Sequence, residues 1–598
     1  MAELKHESDD EKPPKSHTSG DSEASNDDNT EFAPINASST GARVTRPSSR
    51  QGSTLSRQRS SNGYGVDDLD HTSNDVEGGE SAAEKDPYEV RWENGDNDPM
   101  SPRSTAHGKK WLIVLIVSAS SFCVTCTSSM YTSTYGQLEK EFDCSREVAT
   151  LGLSMFILGL GLGPMLLAPL SEFYGRRPIY IASFAFFLIW LIPSAAAQNI
   201  QTMIVGRFFD GLSGSAFLSV AGGTVGDLFN REQLQAPMLI YTASPFVGPS
   251  FGPLVSGFIN QYTTWRWTFY VLIIWSAINL AAIILFVPET YHPICLKAKA
   301  IKMRKETGDD RWYAPMERLN KSIPKTIGYS LLRPGQLLIF EPMCLNLCIF
   351  SAILLGILYL FFGAFPLVFE GNHGFTLSQV GLSFLGLFMG MLAAAATDPY
   401  WHHNYVRLIR QREERTGEVG GSEPEYRLPP AILGAVLVPI GLFMFAWTTY
   451  SSVHWIVPII GSAIFGMGTL LVFTGIFTFL VDAYPLYAAS SLAANMASEV
   501  SSLHIPSFIP LDPCNVHMYL YLWRILFHFG FPAPKNHGAE AELFVAIFPL
   551  FGIQMYHKLG DQWATSLLAF LTLVMTPFPY IFFKYGKKIR GHSRFATA

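Results

Sequence analysis

The sequence predicts an all-α membrane protein, with two bundles of six membrane-spanning helices behind a disordered N-terminal tail. Three observations predict it. Apolar runs recur near the ~20-residue length that crosses a bilayer. Only 15% of the 598 residues are charged, against about 25% in an ordinary soluble protein. Lys and Arg gather in alternate loops, as the positive-inside rule asks of a polytopic chain.

Residues 1–108 are rich in Ser, Asp, Glu, Asn, Gly and Arg, with almost no aliphatic periodicity. Such a segment cannot bury enough apolar surface to offset its ordering entropy, so a disordered cytosolic tail is expected. Ser48, Ser49, Ser53 and Ser56 lie among arginines, as candidates for phosphorylation or as part of a merely solvated tail. The sequons at Asn36 and Asn320 fall on the cytosolic side in this topology, where they would go unused. No signal-peptide pattern opens the sequence, so the first span is expected to start insertion itself.

The apolar runs lie at about 111–133, 148–170, 178–198, 202–225, 236–259 and 267–288. After a hydrophilic stretch they resume at about 343–367, 376–397, 429–449 and 454–480, with a damaged run beginning near 486 and a last one at 562–583. The division is a six-helix bundle over 109–288, a cytosolic central loop over 289–340 and a second bundle over 341–598. Arg176, Arg177, Arg231, Lys297 to Lys305, Arg407 to Arg415 and Lys584 to Arg590 fall on one side of this topology. The other side holds only Lys140, Arg146, Arg266 and Lys558. The first side is therefore expected to be cytosolic, with both termini.

Several function classes are excluded or unsupported. The net charge of −6 leaves no nucleic-acid footprint, and no G-x-x-x-x-G-K-[ST] loop is present for a nucleotide. Ser, His and Asp occur without a nucleophile elbow, so no enzyme, cofactor or metal is expected. Cys123 and Cys126 form a C-x-x-C on an apolar run. With no second pair or His cluster beside them, they read as structural, not as a redox or zinc site.

Chemistry concentrates in four places. Between the second and third spans runs Ala168-Pro169-Leu170-Ser171-Glu172-Phe173-Tyr174-Gly175-Arg176-Arg177-Pro178. Gly175 permits a tight turn, and Glu172 can pair with an arginine or cap a neighbouring helix. Glu172, Gly175, Arg176 and Arg177 then make a latch that one conformation breaks. The plainer reading is two arginines obeying the positive-inside rule.

This stretch resembles the cytosolic-loop signature G-x-L-a-D-r-x-G-r-k of the major facilitator superfamily, with Ala168 for its first glycine and Glu172 for its aspartate. The variant looks like the fungal members of the 12-span drug:proton antiporter group. Trp265-Arg266-Trp267-Thr268-Phe269 and Val287-Pro288-Glu289-Thr290-Tyr291-His292-Pro293 match as well. The resemblance implies the major facilitator fold, two six-helix bundles around a central cavity.

In the fifth span, Gly248, Pro249, Gly252, Pro253 and Gly257 resemble the antiporter signature G-x-x-x-G-P-x-x-G-G, which is associated with export. Ser244 stands for its first glycine and Pro253 for one of its last. The three glycines are expected to offer a smooth face to the matching helix of the other half; the alternative is a simple kink at Pro249. In the fourth span, Arg207 and Asp210 are three residues apart and can partly neutralise each other. That segment resembles the signature R-x-x-x-G-x-x-x-A, whose arginine is implicated in proton coupling. Asp210 is the candidate proton carrier, with a permanent structural ion pair as the alternative. Asp227 and Asp482 read as helix-end charges.

Tyr131, Tyr135, Phe208, Phe361, Phe362, Phe365, Phe473, Phe477 and Tyr484 are candidate cavity aromatics, suited to hydrophobic or cationic organic molecules through stacking and cation–π contact. The expected partners are a small-molecule substrate, protons and the bilayer, with the chain monomeric in a plasma or vacuolar membrane. The expected function is proton-coupled export by alternating access. A proton symporter importing a nutrient and a non-transporting receptor are the rivals.

One segment does not fit. The eleventh span begins at Tyr487 with small residues, then gives way at Glu499 to about 40 residues carrying five prolines. The membrane pattern returns at Leu543, and joining Glu499 to Glu542 restores one span. Residues 500–541 therefore read as a translated intron or an inserted loop; Val500-Ser501 can be encoded by a splice-donor sequence.

Overall fold

The computed structural model describes residues 87–92, 98–229, 233–318, 335–417, 422–484 and 548–591, with a few single positions between. Among them nine helices are long and apolar enough to cross a membrane, and no strand forms. A bilayer core dictates this outcome, because a helix satisfies its own backbone where water is absent.

The first half comprises α1 (His107–Met130), α2 (Tyr135–Phe142), α3 (Arg146–Tyr174), α4 (Arg176–Ala195), α5 (Ile200–Gly214), α6 (Ala216–Leu228), α7 (Gln235–Tyr262) and α8 (Trp265–Phe286). Helices α9 (His292–Thr307) and α10 (Pro315–Arg318) follow. The second half contains α11 (Pro342–His373), α12 (Leu377–Ser383), α13 (Leu385–Ala396), α14 (Asp398–Thr416), α15 (Pro429–Trp447), α16 (Ile456–Ala483), α17 (Phe548–Met575) and α18 (Pro577–Arg590). Every apolar run from 111–133 to 454–480 corresponds to a helix or to a broken pair. α5 and α6 meet at Ser215 as the fourth span, and α12 and α13 meet at Phe384 as the eighth.

Local chemistry sets several ends. Ser145 caps α3 by accepting from the Val148 amide at 3.4 Å, and Asn199 caps α5 by accepting from Thr202 N at 2.8 Å. α7 runs unbroken through Pro245, Pro249 and Pro253. In α17 the chain bends at Gly560, whose φ of 77° and ψ of 159° lie outside the helical region. The expected twelfth span begins beside that glycine and is interrupted again at Thr576. The start of the eleventh span and the suspect segment 500–541 lie outside the described residues, as does Cys514.

Burial sorts the spans into inner and outer. In the most apolar window of α11, 83% of residues are buried, against 28% in α8. Ile274, Ile278 and Leu285 of α8 stand exposed, a surface suited to lipid hydrocarbon. The halves meet where α7 packs against α12 and α13, and where Phe246 stacks on Phe473 at 4.3 Å between centroids.

The expected tail boundary at 108 moves. Residues 1–86 lie outside the described residues, but 87–92 and 98–106 fold against the central loop. Val90 donates its amide to Tyr313 O at 2.9 Å and is buried with Ala300 and Ala314. Asp98 pairs with Lys299 at 2.7 Å, both nearly buried. Valine, tryptophan and a paired aspartate in this stretch anchor a polar segment that composition alone assigned to the tail.

Candidate transport site

Following the helices up and down, the start of α4 with Arg176, α9 with Lys299, the turn before α15 with Arg427 and the end of α18 with Arg590 fall at one end of the bundle, the basic end. Here Glu172, Gly175, Arg176 and Arg177 lie together, with Glu172 acting on Arg176 through its charge and two further acids joining the cluster. Gly175 adopts φ 98°, which glycine alone takes readily, and turns the chain from α3 into α4. Glu289, 113 residues further on, accepts from the amide of Arg176 at 2.9 Å and of Arg177 at 3.2 Å. Its carboxylate caps the start of α4, where the helix dipole favours an anion. The Arg176 side chain is buried, reaching Asp227 Oδ2 at 3.4 Å and donating to Ser171 Oγ at 2.6 Å. It also lies 4.7 Å above the Tyr291 ring. Arg177 donates to Ile284 O at 3.0 Å.

Asp227, read from sequence as a helix-end charge, is thus the acid paired with the buried Arg176 side chain. Glu289 stood inside a quoted family motif but carried no assigned role. The second half repeats the arrangement with other residues. Arg427 precedes α15 and pairs at 2.8 Å with Asp482 near the end of α16. Glu425 forms a buried two-pronged pair with Arg590, at 2.7 and 2.9 Å.

Deeper in the first half, Arg207 and Asp210 are both fully buried. They form no direct ion pair, the alternative reading, but their opposite charges still attract across the gap, as expected of a partial neutralisation. Residues three apart on a helix diverge by about 60°, and each side chain follows its own neighbours. Arg207 Nη2 donates to Thr127 O of α1 at 3.1 Å, and the guanidinium lies 4.2 Å from the Phe156 ring centroid and 4.8 Å from that of Tyr131. Asp210 turns toward α4 and accepts from Ser194 Oγ at 3.2 Å. Nε and Nη1 of Arg207 and Oδ1 of Asp210 have no hydrogen-bond partner. Incompletely satisfied charges at such depth are costly and mark function more often than packing.

The fifth-span glycines divide their work. A methyl group at Gly248 or Gly252 would collide with Thr125 or Ser129 of α1, in the same half. Only Gly257 faces the other half, where an added Cβ would lie 2.9 Å from Leu377 O of α12. Gly381 returns the contact, with its Cβ position 2.5 Å from Pro253 O. The three glycines are therefore not one face for one partner. Four residues advance a helix by about 400° and nine by about 900°, so Gly257 points away from the Gly248–Gly252 row.

The aromatics also divide. Phe361 and Phe365 pack on Phe445 inside the second half, and Phe361 on Phe465 as well, as core and not as cavity lining. Phe473 and Phe477 meet Phe246 across the halves. Tyr131 donates to Ala149 O at 2.9 Å. Tyr484 donates to Glu341. Tyr135 lines a narrow cavity between the halves with Arg146, Thr150, Tyr359, Phe362 and Tyr556. Its volume of about 30 Å³ holds a few atoms, whereas drug-sized ligands occupy roughly 300–1,000 Å³. The halves are closed on each other there. Arg146, Tyr359 and Tyr556 were missed in the sequence; Arg146 looked like an ordinary loop cation.

Two helical halves of long apolar helices, charges buried within those helices and a small cavity where the halves meet describe a polytopic membrane transporter. A sequence model of the Major Facilitator Superfamily matches residues 117–504. The chain belongs to the major facilitator superfamily. It is 52% identical over 504 residues to the efflux pump atB of Aspergillus terreus, covering 84% of this chain and 89% of that one. It is 37% identical over 515 residues to the probable drug/proton antiporter YHK8 of Saccharomyces cerevisiae, covering 86% and 91%. The human organic anion transporter MFSD10 (TETRAN) shares the fold, with a TM-score of 0.50 at 14% identity over 79% of this chain and 99% of that one.

Proposed function

We propose that the protein exports small organic molecules by alternating access, in exchange for protons. The observation that carries this reading is Asp210: a fully buried carboxylate with one unpartnered oxygen, beside an arginine whose guanidinium is likewise incompletely bonded. Such a group accepts a proton in one conformation and releases it in another as its neighbours change. Relatives named as an efflux pump and as a drug/proton antiporter support the direction and the coupling. The chain acts as a monomer in the plasma membrane, with the basic end and both termini in the cytosol. Residues 500–541 derive from an unspliced intron; the family match ends at residue 504, beside the break in the membrane pattern.

The test uses cells lacking their own efflux systems and a panel of candidate compounds. Efflux by this chain collapses with a protonophore and persists when ATP is depleted at a clamped gradient. Asp210→Asn removes coupled efflux while surface expression stays near wild type. Efflux that survives the protonophore overturns proton coupling, and uptake raised by external acid favours a symporter instead.

A further inference from the structure

We propose that the cavity beside Arg146 is a headgroup subsite for organic anions, so that the exported molecules include carboxylic or comparably acidic compounds with an apolar body. This rests on the exporter reading and names its substrate class. The cavity lies at the end of the bundle opposite the latch, between α3 of the first half and α11 and α17 of the second. Among the described residues, Arg146 is the one charged residue in its lining. Leu153, Leu360 and Leu367 supply apolar wall.

Two groups there have donors to spare. Tyr135 is 5% exposed, lines the cavity and has a hydroxyl that completes no hydrogen bond of normal geometry, with Thr150 as its nearest side-chain neighbour for one. Arg146 gives Nη1 to Glu139 at 3.0 Å, and a guanidinium has five N–H donors. Acids around the site are Glu139, paired with Arg146, Glu370, the adjacent Glu147, which accepts from Gln554, and Asp561 beside Tyr556. None of them lines the cavity. The other hydroxyls are engaged: Tyr556 with Thr565 at 2.9 Å, Tyr359 with Ser128 at 3.1 Å, and Thr150 with Arg146 O at 2.8 Å.

The site is continuous with the buried charge below it. Arg146 lies 4.7 Å over the Tyr135 ring, Tyr135 meets Tyr131 edge to face at 5.3 Å, and Tyr131 lies 4.8 Å from Arg207. Cation, ring, ring, cation thus follow one another from the start of α3, through α2 and the turn that precedes it, to α5. Asp210 turns toward Ser194 and forms no direct pair with Arg207, although its charge offsets part of this positive track. An acid headgroup finds a guanidinium and a phenolic O–H converging on it, and an ammonium group meets like charge. When the halves part, the same wall opens to the body of the substrate.

Three probes sharing one ring system test this: 1-naphthoate, 1-naphthamide and 1-naphthylmethylammonium, with binding measured to the purified full-length chain. Naphthoate is expected to bind about tenfold or more tighter than either other probe, as one charge-assisted contact allows. Arg146→Gln erases that preference and Arg146→Lys retains part of it. Tyr135→Phe weakens naphthoate a few-fold and leaves the amide unchanged, which keeps the test open if the arginine variants fold poorly. Equal binding of the three, preference for the ammonium probe, no naphthoate binding, or preference persisting in Arg146→Gln overturns the proposal. Gradient-driven efflux of an uncharged dye alongside such a result would leave the exporter standing and remove only the anion subsite.

Discussion

Gly175 shows how one residue carries two constraints at the latch. Its φ of 98° disfavours any side chain, and a Cβ there would lie 2.4 Å from the Glu289 carboxylate. Gly308 ends α9 at φ 68° with no atom within 4 Å of the same position. Gly308→Ala is therefore expected to cost only the left-handed conformation, about 1–2 kcal/mol. Gly175→Ala adds the collision, and with it loss of the carboxylate that caps α4. Thermal melting of the two purified variants checks this: Gly175→Ala should melt well below Gly308→Ala and turn over more slowly. Equal melting temperatures would show that Glu289 moves aside freely. The site residues were partly legible at this scale. Arg176 and Gly175 stand in a recognisable short motif, but Asp227 and Glu289 are 51 and 113 residues from Arg176 along the chain, and nothing local marks them as its partners.

At the scale of elements, α7 is a two-sided helix. Its Gly248–Gly252 row seats α1 within the first half, and Gly257 seats α12 of the second half. Contacts within a half persist as the halves rock, whereas contacts between halves are made and broken. Gly252→Val is thus expected to impair folding and lower surface expression. Gly257→Val should express and bind substrate, yet shift the chain toward the conformation in which α7 and α12 part. Cysteine accessibility measured at that end of the bundle reads the shift; no change, or misfolding equal to Gly252→Val, would contradict the division. Sequence placed the glycines on the right helix. It did not orient them, because glycine carries no side chain whose polarity reports a direction.

For the whole molecule, the proposed intron-derived segment bears on the eleventh span, whose apolar pattern in the sequence breaks off near Glu499 and returns at Leu543. Neither portion flanking 500–541 is long enough to cross a core of about 30 Å alone. Deleting 500–541 is expected to raise surface expression and efflux severalfold over the 598-residue chain. Transcript sequencing across the region supplies an independent check. A predominant unspliced transcript, with full transport by its product, would establish the segment as a genuine insertion.

The sequence by itself determined the membrane class, the apolar spans from 111–133 to 454–480 and the helices that hold the charges. Crossing a bilayer imposes length and apolarity on each span separately, so those properties are written locally. Only the tertiary structure decided which way each span faces: Arg207 onto Tyr131 and Phe156, Asp210 onto Ser194, Phe361 into the core, and Arg146 into a cavity. In a soluble helix the wet face betrays the buried one. In a membrane both the lipid face and the protein face are apolar, so periodicity is silent about rotation, and partners from distant spans settle it.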